Sequence, residues 1–457
     1  MSRDAPIKAE KDYSEIIKDE FPKIDILAQN DTNAALDKLL VLEKKTRQAA
    51  DLVSSKEVLV KIADLLINNG DWDGLQEQLV LLSKKHGQLK LALQYMIQHV
   101  MKCLKENGGE TDDDLLKDTP FITLNTRIAV IETIRIVTEN KIFVETERAR
   151  VTRDLAHIRK KQNKIDEATE ILCELQVETY GSMEMYEKIE FIIEQMELSI
   201  LIKSYSQATI LSRKILKKTF KNEKYEQLKL EYYKLLIKIG LFKKEYLEVA
   251  QFFIEIYQTK SIKENEQQWK AALSHIVYFL VLSPYGNLQN DLIHKTLLDN
   301  NLKKLEVQES LIKLFTTKEL MRWPIVKSTF EPVLSKEEFA FSGEESEQHW
   351  EELRKRVVEH NLRVISEYYS RISLSRLNEL IDLTETESEK FISNMVNQGI
   401  IYAKINRPTK IVNFEKPKNS NELLNEWSNN VDQLLEHIET IGHLITKEEI
   451  MHGLKAK

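Results

Sequence analysis

Residues Ser370–Phe414 read SRISLSRLNELIDLTETESEKFISNMVNQGIIYAKINRPTKIVNF, and this stretch decides the fold. Ile372–Leu374 is a short strand candidate. Ser375–Ile381 has helical spacing, with Ser375 placed to cap it. Thr384–Asn397 is a second helix. Thr384 with Glu387 three residues on forms a capping box, Phe391, Met395 and Val396 supply an apolar side, and Gly399 stops it. Ile400–Ile405 and Lys410–Phe414 then read as a hairpin around Asn406-Arg407-Pro408-Thr409. Strand, helix, helix, strand, strand is the order of a winged helix.

Helices flank this stretch on both sides. Glu351–Tyr369 is amphipathic and leads into it. After the polar linker Glu415–Ser420, which contains Pro417, one helix spans Asn421–Leu454. Its apolar residues Leu424, Trp427, Val431, Leu434, Ile438, Ile441 and Ile445 follow steps of three and four, and Leu435 and Leu444 widen the stripe. Such a run of a and d positions predicts a coiled-coil seam, buried more readily against helices of other subunits than against the chain's own repeats.

Upstream, from Tyr13 to Phe315, helix follows helix with breaks at Asn68-Asn69-Gly70-Asp71, Glu106-Asn107-Gly108-Gly109 and Tyr180-Gly181-Ser182. Leu36, Leu39, Leu40 and Leu42 make one apolar face; Val58, Ile62, Leu65 and Leu66 make another. A weak repeat marks the helix starts: Trp72-x-x-Leu75, Ile165-x-x-Ala168, Tyr205-x-x-Ala208 and Tyr246-x-x-Val249-Ala250, each opening on about four helical turns. The large residue would wedge between hairpins and the small one would let two helices approach. Ile165 to Tyr205 is 40 residues and Tyr205 to Tyr246 is 41, longer than a standard tetratricopeptide unit. A TPR-like solenoid explains this period; a single long bundle does not require one. The acidic segment Glu110–Pro120 lacks a face and reads as a mobile surface loop.

Composition agrees. The 457 residues include only 12 Gly and 8 Pro, with 30% charged residues, as in a mainly helical protein. The net charge of −7 gives no general attraction to nucleic acid or anionic membrane. The N-terminus has no signal-peptide core, and the longest apolar run, Ile276–Leu282, is far too short to span a bilayer. Cys103 and Cys173 stand alone within helical patterns, so no disulfide framework, metal site or cofactor is expected. P-loop, dinucleotide, nucleophile-elbow and HExxH motifs are absent, and no His-x-His occurs; no enzymatic activity is expected.

Charge patterning argues for protein contact over nucleic acid. The surface of the second winged-helix helix presents Asp382, just before it, with Glu385, Glu387 and Glu389 against Lys390, which would repel phosphate. Lys404, Arg407 and Lys410 on the wing read as a solvated tip. Farther upstream, Asp166–Glu197 holds ten acids and one base, with Glu187, Glu190, Glu194 and Glu197 as one ridge; Lys203–Lys244 holds twelve bases and three acids. Both read as solvated outer faces, the sharper alternative being a docking stripe for an acidic partner or RNA. The aromatics Phe220, Tyr225, Tyr232 and Tyr233 have core spacing.

Three strings carry a resemblance: Glu319-Leu320-Met321-Arg322-Trp323-Pro324, the helix Arg356–Tyr369 (RVVEHNLRVISEYY), and Asn397–Lys404 (NQGIIYAK). They resemble the PCI domain. More narrowly, with Ser283–Asn287, Phe315–Thr317 and His443–Glu449, they resemble the p55-type family of PCI-domain non-ATPase lid subunits of the 26S proteasome regulatory particle, fungal in character. The resemblance implies a non-catalytic scaffold supporting ubiquitin-dependent degradation. Its expected partners are other PCI lid subunits, the lid metalloprotease deubiquitinase, the ATPase ring and the core-particle α ring, in a hetero-oligomer of cytoplasm and nucleus, with no membrane or nucleic acid. Alternatives are a PCI subunit of the COP9 signalosome or of a translation-initiation complex, and, from another class, a nucleic-acid-binding PCI protein.

The expected layout is a mainly α chain with three parts. Residues 1–330 form the TPR-like solenoid, with 110–120 as its loop; 331–415 form the PCI module ending in the winged helix; 420–457 form the bundling helix. The expected interfaces are the hairpin residues Ile400, Ile401, Tyr402, Lys404, Ile411 and Asn413 and the seven tail positions from Leu424 to Ile445.

Overall fold

The computed structural model describes residues 13–28, 31–106, 122–334 and 346–453. The segment Glu110–Pro120 lies outside them. The chain forms two compact units, Met1–Lys244 and Glu245–Lys457. Among the described residues there are 21 α-helices and three short strands, all three strands at or beyond Arg371. The chain is mainly α, as its composition predicts.

In the first unit, consecutive antiparallel helices are joined by one recurring turn. The helices Leu52–Asn68, Trp72–Lys84, Ile165–Cys173 and Tyr205–Ser212 each begin two residues after a left-handed residue: Ala50, Gly70, Asn163 and Lys203. The next amide reaches back five residues to the end of the preceding helix, as in Asp51 N to Thr46 O, Asp71 N to Leu66 O, Lys164 N to Arg159 O and Ser204 N to Ser199 O. This satisfies otherwise orphaned terminal carbonyls. Only one of the four left-handed residues is glycine, so the turn is nearly silent in sequence.

The helix starts read from the sequence fall where the spacing puts them, at Trp72, Ile165, Tyr205 and, in the second unit, Tyr246. Leu75, Ala168, Ala208, Val249 and Ala250 are fully buried. Tyr205 stacks on Phe242 with ring centroids 3.9 Å apart. The helices opened at Ile165, Tyr205 and Tyr246 are shorter than expected, 9, 8 and 12 residues, and the longer element is their partner in the hairpin. The aromatics of the basic segment are packed as expected: Tyr232 is buried against Phe220 and Tyr233, and its hydroxyl donates to Ser212 O at 3.0 Å.

The acidic ridge is only partly solvated, because each of its four glutamates is paired within the chain. The helix Met185–Leu201 lays it along the helix Glu145–Lys161 in register. Arg150 meets Glu187 at 2.7 Å, Arg153 meets Glu190 at 2.8 Å, His157 meets Glu194 at 3.6 Å and Lys160 meets Glu197 at 3.3 Å. Every rung joins residues 37 apart. Arg153 also donates to Glu194. Burial opposes the Glu194 charge, yet hydrogen bonds from His157 and Arg153 hold its carboxyl below the usual range. The guanidinium of Arg153, though burial pulls it down, is pushed up by Glu190 and Glu194.

In the second unit, the helix Ser346–Tyr368 runs into a three-stranded antiparallel sheet of β1 (Arg371–Ser373), β2 (Lys404–Asn406) and β3 (Ile411–Asn413). The strand order is β1-β3-β2, with Ile372 opposite Val412 and Ile405 opposite Val412. The helices Leu374–Ile381 and Glu385–Asn397 cover one face. Leu362, Ile365, Ile372, Leu377, Ile392, Met395, Val412 and others close a separate core. This is the winged helix.

Candidate interaction surfaces

Local chemistry builds the winged helix much as expected, with two corrections. Glu387 accepts from Thr384 N at 3.2 Å, so the capping box is present. Gly399, at φ +73°, ends the helix; its amide bonds Val396 O and the next amide bonds Met395 O, both at 3.0 Å. Ser375 does not cap the first helix, which starts one residue earlier behind Ser373.

The hairpin is the second correction. β2 covers only Lys404–Asn406, and Ile400–Ala403 approach as coil, because Ile400, Ile401 and Ala403 turn into the module's core. β3 is central, bonded on both sides, so its backbone offers no free edge; the edges are β1 and β2. Val412 is fully buried, whereas Ile411 is 39% exposed. Of the six hairpin positions, Lys404 lies on the β2 edge, Ile411 faces outward, and Tyr402 and Asn413 are half-buried. Ile400 and Ile401 support the surface from beneath.

The wing's bases are exposed, as read from the sequence, but two of them are paired. Arg407 pairs with Glu389 at 3.2 Å and Lys410 with Glu385 at 3.0 Å, folding the wing onto the acidic helix. Exposed pairs of this kind contribute at most about 1 kcal/mol each. Their effect is to leave a nearly charge-balanced surface with no basic surplus for phosphate.

Two of the three main strings that carry the family resemblance, Glu319–Pro324 and Arg356–Tyr369, meet with Tyr285 at one buried junction. Asn361 donates to Met321 O at 2.7 Å and accepts from Met321 N at 2.9 Å, so its amide pairs with the backbone as a neighbouring strand would. His360 Nε2 lies 3.2 Å from Glu319 O, and Arg363 donates to His360 Nδ1 at 3.0 Å. The guanidinium of Arg363 stacks over Tyr285, 3.6 Å from the ring centroid. Burial, helped by the Arg363 charge, lowers His360 to about 4, so the imidazole is neutral and carries its proton on Nε2. These groups fix the helix that bears the winged helix. Sequence reasoning found the strings but not their convergence, which depends on tertiary contacts 40 residues apart.

The tail is one helix, Ser420–Met451, 32 residues and about 48 Å long. Asn419 caps it, with Glu422 accepting from the Asn419 amide at 3.0 Å. Not one residue of it is buried. Leu424, Trp427, Leu434, Ile438, Ile441 and Ile445 are all between 54% and 68% exposed, and Val431 is half-exposed. The stripe does not fold back on this chain's own helices. Among the described residues, no helix is long and apolar enough to cross a membrane.

Helical hairpins running into a winged helix, followed by an uncovered heptad helix, define an assembly subunit of the PCI class. Three family models match: PSMD12/CSN4, N-terminal, over residues 34–265; PCI domain, over 306–416; and the 26S proteasome regulatory subunit RPN5 C-terminal domain, over 421–453. The chain is 74% identical to the 26S proteasome regulatory subunit RPN5 of Saccharomyces cerevisiae, over the full length of both. It is 42% identical to rpn501 of Schizosaccharomyces pombe, over 98% of each chain. It is 37% identical to the 26S proteasome non-ATPase regulatory subunit 12 of Dictyostelium discoideum, over 92% of this chain and 90% of that one. The chain belongs to this family of 26S proteasome regulatory subunits. Likeness to COP9 signalosome complex subunit 4 of Drosophila melanogaster is distant, 24% over about half of each chain.

Proposed function

We propose that this chain is a non-catalytic scaffold of the proteasome regulatory-particle lid, supporting ubiquitin-dependent degradation. It pairs its winged helix with neighbouring PCI subunits and inserts its tail into a shared helical bundle. Its direct partners are other PCI lid subunits and the metalloprotease deubiquitinase they enclose; the repeats of residues 1–330 reach toward the ATPase ring and the core-particle α ring. The division of labour follows the three parts 1–330, 331–415 and 420–457, and the work is done in cytoplasm and nucleus.

The observation that carries this reading is the tail: seven heptad positions on a stable helix with nothing covering them. Several hundred Å² of contiguous apolar surface on a soluble chain marks a protein interface. For the winged helix, the β2 edge with Lys404, the outward Ile411 and the half-buried Tyr402 and Asn413 form the proposed contact, by strand addition or side-chain packing.

A gentle affinity purification of the tagged chain tests the reading. Lid subunits should dominate the co-purifying proteins. Signalosome subunits or RNA in their place would overturn it. Proline at Ile405, the β2 residue whose amide faces away from β3, should weaken pairwise binding to the adjacent PCI subunit while keeping the ladder to β3. The purified chain should turn over neither ubiquitin conjugates, ATP nor peptides; turnover abolished by a point change in this chain would refute the scaffold reading.

A further inference from the structure

We propose that Asp64, His99 and Cys103 form a zinc site that clamps two helices of the first unit. His99 and Cys103 stand one turn apart on the helix Lys90–Glu106, and Asp64 faces them from the helix Leu52–Asn68. His99 Nε2 lies 2.6 Å from Asp64 Oδ1 and 3.6 Å from Cys103 Sγ, and the three donor atoms all fall within 4.8 Å of one another. A tetrahedral zinc with ordinary bond lengths separates its sulfur and nitrogen ligands by roughly 3.6 Å, the spacing already present. Its nitrogen and oxygen ligands stand roughly 3.3 Å apart, so the carboxylate must withdraw by well under 1 Å. The Asp64 side chain is 39% exposed and has room to do so.

The donor set selects the metal. Thiolate and imidazole together with one carboxylate suit a borderline-soft dication, which disfavours magnesium and calcium. All three residues are half-exposed, so a fourth position is open to water. Without metal, Asp64 and the Cys103 thiol both make ordinary hydrogen-bond contacts to His99 Nε2, at 2.6 and 3.6 Å. Ligation by the Cys103 thiolate, in place of that weak contact, is what separates the two states. The sequence signal was His99-x-x-x-Cys103, helical ligand spacing hidden by the absence of a second cysteine nearby. It departs from the expectation that the cysteines stand alone.

The test uses the purified full-length chain, stripped with chelator and titrated with cobalt(II) as a spectroscopic stand-in. A near-ultraviolet sulfur-to-cobalt charge-transfer band should saturate at one equivalent and be displaced by zinc(II). Cys103→Ser should abolish the band, and His99→Gln should weaken binding about tenfold or more. Cys173→Ser should leave both unchanged. Zinc should raise the melting midpoint of the parent chain and not that of Cys103→Ser, which keeps the Asp64–His99 bond and the fold. No band, or a band that survives Cys103→Ser, overturns the proposal, as does equal zinc stabilisation of both proteins.

Discussion

The helix Met185–Leu201 and the tail Ser420–Met451 make opposite use of their faces. The first carries a glutamate ridge that any reading by polarity sends to solvent, yet it is locked against arginines one hairpin back. The second carries an apolar stripe that polarity sends inward, yet the chain leaves it bare. A side chain's character fixes what kind of surface it must meet, not whether that surface belongs to the same molecule. Where the partner is charged and 37 residues away, the face closes within the chain; the long apolar stripe of the tail is left uncovered.

The largest effect should come from the tail. Ile438→Asp with Ile441→Asp places two charges in a seam buried on assembly, and incorporation into the complex should fall at least about 100-fold. The isolated chain should melt within about 1 °C of the parent, because nothing of its own covers these residues. A lowered midpoint would mean the tail packs inward, and the comparison would break.

Acid should weaken a polar junction that the tail does not share. His360 is held neutral at about 4 in the fold against an ordinary 6.5. Its pKa is depressed, so the unfolded chain binds more protons between these values. Stability is therefore full above about pH 6.5 and is lost as the pH falls toward 4, by about 2 kcal/mol between pH 7 and 5. Hydrogen exchange around Met321 and Asn361 should accelerate over that range. His360→Gln, which cannot charge, should flatten the dependence there, while His275, lowered to about 4 by burial, keeps its own contribution.

The ladder should respond to loss of one rung. Arg153→Met leaves Glu190 and Glu194 facing each other at half-buried positions and should cost about 1–2 kcal/mol at pH 7, read by denaturant melts. Glu187 and Glu194 have depressed values in the fold, so their stabilising pairing is present above about pH 4.5 and fades as the carboxylates protonate below it. The gap between parent and variant should narrow over the same interval. An unchanged melt at neutral pH would return the ridge to solvent.

The smallest effect concerns the turn. Lys203→Gly removes a Cβ from a left-handed position at φ +64° and should stabilise the first unit by about 0.5–1 kcal/mol. The midpoint should rise slightly, with binding of the tail unaltered.

Much of this was legible in sequence because it was local. The Thr384–Glu387 box, the stop at Gly399 and the heptad from Leu424 to Ile445 each need only a few neighbouring residues to be recognised. The helix starts at Ile165, Tyr205 and Tyr246 were readable for the same reason. What failed was non-local or chemically disguised. Ala50, Asn163 and Lys203 adopt a conformation that glycine usually signals. That β3 lies between two strands, with Val412 buried and Ile411 exposed, depends on its pairing with the distant β1, which no hairpin pattern contains. The glutamate ridge needed a register 37 residues away.

The bare tail has a consequence for the cell that makes this chain. A copy synthesised without companions carries about 48 Å of sticky helix into a crowded solution, where chaperones and quality-control proteases recognise such stripes. Under the proposed bundling role, its abundance should track that of the chains that cover it: surplus copies should be cleared and incorporated copies hidden, with the seven stripe residues setting the stoichiometry.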